Sequence, residues 1–514
     1  MKGSHKEKSM NPSQQLLINM SASFVSYGVS LFISFFLSPY IVETIGVEAN
    51  GFVGLANNFV SYASIITIAL NSLAGRFITI SLTRGDEESA NRYFTSVFFA
   101  NLAIALVLGL VGGIIILFLD RLINVPAALL GDVRWLFVFV FLNCILSVVG
   151  SVFTVATFAR NKLYLSSLRE IEANLARALC IIGLFALGTP RVCFLGAASL
   201  VSGSYTLIRN VRYTGQLLPE IRIQRKYFDL RAVRELIASG IWNTINRLGQ
   251  ILIDGLDLLI TNLFVDATAM GILGLAKTVP NLISGLMGSI VGVFSPNYTI
   301  LYAQEKYDEL LAQIKQSMKI MGVITNIPII ILVTCGQDFF INWQPTLDPV
   351  MLNLLSILTI GCLIFSGGIN CLYGIFTVVN RMKANSVVVL AGGAVSTLLV
   401  LLLVNTTDLG VYAVAGVSTV VSIIRNLAFT APYGAKCLNQ KWYVFYPEIF
   451  KPVLFVIISV LLSSVLLPLI PLAGWLGFFT KAAASGILSL AVGIWIVLNK
   501  NDRRFLQSKL IRRR

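Results

Sequence analysis

Long apolar runs separated by short polar connections constrain this chain more than any other feature. About fourteen such runs follow one another, each with room for roughly 20 residues across a hydrocarbon core. Lipid offers the backbone no hydrogen-bond partners, so such runs can span it only as helices or as strands of a closed barrel. These are too long and too continuously apolar for barrel strands. Of the 514 residues 56% are hydrophobic and 12% charged, against about 25% charged in a soluble domain. The expected fold is an all-α polytopic membrane protein with about 14 transmembrane helices. The first run, from near Leu16, reads as a retained span and not as a cleaved signal peptide.

The net charge of +15 points to topology and not to nucleic acid, because the basic residues sit in short loops. With the N-terminus inside, the inner segments hold about 30 Lys and Arg and the outer ones only Arg121, Arg134 and Arg191. Glu43, Glu48, Asp338, Asp348 and Asp408 fall outside. Both termini are therefore expected in the cytoplasm. The seven cysteines contain no CxxC pair, and the only histidine is His5 in a polar tail. That argues against a histidine-based metal site or proton relay and against a Ser/His/Asp set. Residues 274–278 lack the glycine that precedes lysine in a phosphate loop. No cofactor is expected and no enzyme activity.

The seventh run is polar along one line. Asn243, Arg247, Gln250, Asp254, Asp257 and Thr261 follow at intervals of four, three, four, three and four. At roughly 100° per residue they fall within an arc of about 80°. A charge at the bilayer centre costs about 2.5–3.5 kcal/mol on insertion scales, so this stripe is expected to face a bundle interior or a wet cavity. Asp257 and Lys277 lie at similar depth on neighbouring runs. They form either a structural ion pair or, with Asp254, a coupling site that binds H+ or Na+. No metal site is expected. Arg177 faces a lumen or pairs with Glu170 or Glu172, whereas Arg425 and Arg76 read as interfacial anchors that snorkel. Asn57, Asn58 and Ser61 either hydrogen-bond the hydroxyls of a polar substrate or hold helices together.

An internal repeat supports a two-lobed reading. Gly51, Gly54, Leu55 and Ala56 recur as Gly271, Gly274, Leu275 and Ala276, 220 residues on, and the loops at 84–89 and 304–309 correspond in the same register. The stripe maps onto Ser23, Tyr27, Ser30, Ser34, Leu37 and Ile41. A repeat of six spans returns to the same side, which gives two six-helix lobes related by a pseudo-two-fold along the membrane normal, plus two C-terminal helices. The chain then divides into a cytoplasmic tail (1–15), an N-lobe (16–214), a basic cytoplasmic linker (215–236), a C-lobe (237–431), two further spans with their preceding loop (432–499) and a basic tail (500–514). An amphipathic helix is expected from about Leu230 to Ile237.

Three stretches resemble a known family. Pro39, a short apolar run, then Gly46, Glu48 and Gly51 resemble the first loop of polysaccharide flippases. Residues 84–94 (RGDEESANRYF) resemble their second cytoplasmic loop, and Asp257 followed by 265–271 (VDATAMG) the opening of their second lobe. The aromatic usual shortly after that glycine is replaced here by Ile272 or Leu273. The chain is thus similar to the O-antigen and capsule flippase branch of the multidrug/oligosaccharidyl-lipid/polysaccharide (MOP) exporter superfamily. The resemblance implies translocation of undecaprenyl-diphosphate-linked oligosaccharide across the bacterial plasma membrane by alternating access. It also implies membrane lipids, and the polymerase and chain-length proteins of the pathway, as partners. A cationic lumen would use Arg247, Arg177, Lys277, Gln250 and Asn243, with Arg supplying a planar fork for diphosphate. The competing readings are a multidrug or organic-cation antiporter of the same superfamily and a membrane-embedded polymerase or ligase. No external loop is large enough for the last.

Overall fold

The computed structural model describes residues 12–379 and 381–498; His5 and the basic tail 500–514 lie outside them. Among the described residues every regular element is helical, and the helices form fourteen successive rods. The first six are α1 (Pro12–Ile45), α2 (Val47–Thr83), α3 (Glu87–Leu117), α4 (Leu130–Ala159), α5 (Leu163–Leu187) and α6 (Cys193–Leu217). Then come α7 (230–264, in three pieces), α8 (267–303, in two), α9 (Tyr307–Trp343) and α10 (Pro349–Val378). The last four are α11 (Met382–Thr406), α12 (Val411–Cys437), α13 (Tyr446–Leu466) and α14 (Gly474–Ile496). Eleven of these rods are apolar and long enough to cross a membrane. The remaining three, α5, α6 and α7, carry the charges: Arg169 to Arg177, Arg209, and Arg247 to Asp257.

Caps set the rod ends where the sequence supplies them. Asp86 accepts the Ser89 N–H at 2.9 Å at the start of α3, and that backbone bond holds its carboxyl below the usual range. At the start of α8 Asp266 accepts the Ala269 N–H at 2.6 Å, and at the start of α10 Asp348 accepts the Val350 N–H at 2.9 Å. Between α1 and α2 the chain turns at Gly46, whose φ of 87° favours glycine.

The chain forms two compact units, Met1–Thr244 and Ile245–Arg514. The division therefore falls inside α7 and not in a linker over 215–236. That segment is packed structure. Asn91 donates to the Glu220 carbonyl, Asp229 N–H donates to Ser96, and Tyr93 donates to Glu235 at 2.8 Å. Ala232, Val233 and Leu236 are buried with Ile78, Phe94 and Val97. The helix expected to end near Ile237 begins at Leu230 but continues without a break into α7. Burial of one apolar face holds it to α3, so it does not end as a separate surface helix.

Each unit contains the same set of helix pairs. In the first, α1 packs on α5, α2 on α3 and α4, α3 on α4, and α6 on α4 and α5. In the second, α7 packs on α11, α8 on α9 and α10, α9 on α10, and α12 on α10 and α11. Each pairing recurs six rods later, as the sequence repeat requires. The chemistry of the pairs differs. Along α1 and α5, Ser23 meets Ser167, Ser26 donates to Glu170, and Asn174 donates to Ser30, each pair 144 residues apart. A constant offset means that the helices run parallel. Farther along, Leu37 and Ile41 continue the contact with Ile181 and Phe185. The corresponding α7–α11 contact rests on glycine. A Cβ on Gly249 would lie 2.6 Å from the Leu390 nitrogen, and one on Gly393 would lie 2.5 Å from the Gly249 carbonyl oxygen. Only glycine lets the two backbones approach this closely.

Rods α13 and α14 pack on α9. A Cβ on Gly322 would collide with Pro452, and Phe455 and Val456 are buried with Val323 and Ile330. Lys481 on α14 reaches Asp338 on α9 at 2.7 Å, which gives the one charge of α14 a partner.

Candidate functional site: a polar cavity and an ion pair in the second unit

Rod α7 is not one uninterrupted α-helix. An α-helical piece (Leu230–Gln250) is followed by a π-helical turn (Ile251–Gly255), and helix resumes at Asp257–Phe264. This interruption rotates the expected stripe out of line. Arg247, Gln250 and Asp254 are exposed, whereas Asp257 and Thr261 are buried. The 3.6-residue period behind the 80° arc does not hold through a π turn. The stripe therefore divides into two groups with different surroundings.

In the buried group, Lys277 Nζ lies 2.7 Å from Asp257 Oδ2 and also donates to the Asp254 carbonyl at 2.9 Å. The two side chains are 13% and 5% exposed. Asp257 stands in the first turn of its helical piece, where the helix dipole favours an anion. Thr261 Oγ1 returns its bond to the Asp257 carbonyl. Charge, dipole and hydrogen bonds are matched here, as an ion pair removed from water requires.

In the open group, Arg247 Nη1 donates to Gln250 Oε1 at 3.3 Å and Gln250 Nε2 donates to Asn246 Oδ1 at 2.8 Å. Asn246, Gln250 and Asp254 form one wall of a cavity of about 400 Å³ inside the second unit. Rod α10 contributes Cys362, Ser366, Asn370, Tyr373 and Thr377; α11 contributes Asn385; α12 contributes Ser422, Arg425 and Asn426. A second π turn, Asn426–Thr430, begins at this wall. Both π turns of the described residues thus border one cavity, in keeping with the frequent placement of such turns at functional sites.

Arg425 is therefore not a snorkelling anchor. Its Nη2 donates to the Tyr373 hydroxyl at 3.2 Å and to Asn426 Oδ1 at 3.4 Å, and Tyr373 donates to Asn426 at 2.8 Å. A phenol and an amide give the guanidinium partners inside the unit, so it need not reach an interface. The sequence carried a signal for this. Ser366, Asn370, Tyr373 and Thr377 recur at four, three and four residues, a polar stripe on α10 like that on α7.

The remaining expected residues lie in the first unit. Asn243 donates to Ser72 at 3.3 Å. Arg177 is half-buried and pairs with neither glutamate: Glu172 is taken by Arg209 at 3.1 Å and by Tyr205, and Glu170 by Arg169 and Ser26. Glu172 lies about 140° around the helix from Arg177, and Glu170 nearly two turns away, roughly 10 Å along the axis. Arg177 Nε is buried with no hydrogen-bond partner among the described residues. Asn57 turns its amide back to the Val53 carbonyl, while Asn58 and Ser61 are half-buried. Farther along α2, Asn71, Asn101 and Ser151 exchange hydrogen bonds between three rods. Arg76 is exposed beside a smaller cavity of about 260 Å³.

The fold is that of the MOP transporters. It matches an inward-facing MATE-family multidrug resistance transporter of that superfamily with a TM-score of 0.64 at 11% identity, over 82% of this chain and 98% of the other. It matches the lipid II flippase MurJ, inward closed, with a TM-score of 0.64 at 15% identity, over 93% of this chain and 98% of MurJ. A family model described as polysaccharide biosynthesis protein matches residues 16–299, and the chain belongs to that family, within the polysaccharide flippase branch of the superfamily. The uncharacterized membrane protein EpsK of Bacillus subtilis (strain 168) is 28% identical over 491 residues, 95% of this chain and 97% of EpsK. The chain is accordingly a multi-pass membrane transporter.

Proposed function

We propose that this protein flips undecaprenyl-diphosphate-linked oligosaccharide repeat units across the bacterial plasma membrane by alternating access, for O-antigen, capsule or a similar surface polymer. The observation that carries this reading is membership of the polysaccharide biosynthesis family on a fold shared with a lipid II flippase. Basic groups suited to a diphosphate support it: Arg247 is exposed, and Arg177 is half-buried with no ion-pair partner among the described residues. The test is reconstitution. Proteoliposomes are loaded with a fluorescent undecaprenyl-diphosphate oligosaccharide, and its exposure to an external lectin is followed. Protein-dependent exposure is expected. Movement of ethidium without movement of the glycolipid would establish the antiporter reading instead. Coupling to H+ or Na+, for which Asp254 on the cavity wall is the candidate carboxylate, is tested with gradients of each in the same assay.

We infer from the basic connections that both termini are cytoplasmic. A cysteine at Asp348, in a background without other cysteines, is expected to react with an impermeant thiol reagent added to intact cells. A cysteine at Arg225 should react only after permeabilisation. The reverse pattern would invert the topology.

A further inference from the structure

The cavity of the second unit contains groups that contact with a diphosphate does not use. Its 400 Å³ falls within the roughly 300–1,000 Å³ of small-molecule sites. Asn385 is 2% exposed, yet its Oδ1 meets no partner among the described residues. Arg425 Nε, on the adjoining rod, is buried and likewise unpartnered. Both residues line the cavity, and the desolvation penalty carried by each unpartnered atom would be relieved by a bound group toward which the side chain turns.

The pair of unpartnered groups limits what that occupant can be. A metal cation would suit Asn385 Oδ1 and the Asp254 carboxylate but would lie beside the Arg425 guanidinium. An anion would suit Arg425 but would face Asp254 and a carbonyl oxygen. A neutral polyol suits both, because each hydroxyl gives one hydrogen bond and accepts two. The amides of Asn246, Gln250 and Asn370 extend the same chemistry, and Leu363 and Val389 offer apolar surface to the C–H faces of a ring.

We propose that this cavity binds one neutral hexose unit of the cargo. This rests on the flippase reading for its role: the run from Arg247 through Gln250 to Asn246 joins an exposed cation to the cavity wall, so phosphates held at Arg247 would present the attached sugar there.

Cys362 lines the cavity and serves as its reporter, and Cys180, in the first unit, as the reference. The native full-length protein is labelled with N-ethylmaleimide, and each cysteine is quantified by mass spectrometry. D-glucose, D-galactose, D-mannose and N-acetyl-D-glucosamine are added separately at millimolar concentration. At least one should slow labelling of Cys362 several-fold and leave Cys180 unchanged. Asn385→Leu, which removes the open acceptor at similar volume, should abolish the protection while labelling without sugar stays at the native rate. Protection by sodium chloride alone, by inorganic pyrophosphate alone, or by none of these would overturn the proposal. This readout is independent of transport: reconstituted flipping without sugar protection sinks the hexose site alone, and protection without flipping sinks the flippase reading alone.

Discussion

Lys277→Ala is expected to lower the stability of the protein by about 3–5 kcal/mol, the usual cost of leaving one member of a buried ion pair without its partner. The stranded group would be Asp257, which is 5% exposed and 2.7 Å from the lysine ammonium. Asp257→Ala should cost a similar amount, since it leaves the ammonium with the Asp254 carbonyl alone. The measurement is the melting temperature of the detergent-solubilised protein together with its abundance in the membrane. The swap Asp257→Lys with Lys277→Asp should recover only part of the loss. It restores opposite charges but places a cation in the first turn of a helical piece, where the dipole opposes it. Wild-type behaviour of both single variants would show that the pair contributes nothing. If Asp257→Asn alone ends transport in a stable protein, the carboxylate couples ions and its structural part is secondary.

The second large effect concerns the headgroup. Two phosphates crossing a region of low dielectric without partners would cost many kcal/mol. A lumen with fixed cations reduces that cost where the headgroup passes. Arg247→Ala is therefore expected to abolish surface polysaccharide at normal membrane abundance, with lipid-linked repeat units accumulating inside. Arg177→Ala should act in the same direction to a lesser degree. Arg247→Lys should retain partial function, because the charge survives and the bidentate fork does not. Polymer is read by lectin binding beside an immunoblot of each variant. Full polymer from the Arg177→Ala, Arg247→Ala double variant would remove these two residues from the mechanism and leave the family assignment intact.

The rods were legible because lipid imposes one requirement on every residue of a span, so composition over about 20 residues carries the signal. The repeat was legible because loops and helices agreed in one register. What escaped the sequence depends on neighbours. The serines of α1 look like a counterpart of the α7 stripe, yet Ser23, Ser26 and Ser30 are engaged by α5. Nothing in α1 alone distinguishes a wet face from a face satisfied by another helix. Arg425 read as an anchor because its partner Tyr373 lies 52 residues away. The segment 215–236 read as a linker because it is basic, although Leu236 and Ala232 on its inner face are buried. Polarity was visible throughout; which partner satisfied it was not.

The π turn in α7 bears on how the two halves differ. A π turn is the form an α-helix takes when it absorbs one residue more than its neighbours require. The equivalent stretch of the first half, 31–35, is uninterrupted α-helix. The two halves, which share one order of helix pairs, thus differ by a local change of winding and not by a change of topology. Such a change turns every side chain beyond it to a new azimuth while leaving the rod in its place among its neighbours. In the second half it sends Asp257 inward to meet Lys277 and leaves Asp254 facing the cavity. A local adjustment of winding can thus give one half a chemistry that the other lacks, without disturbing the packing both share.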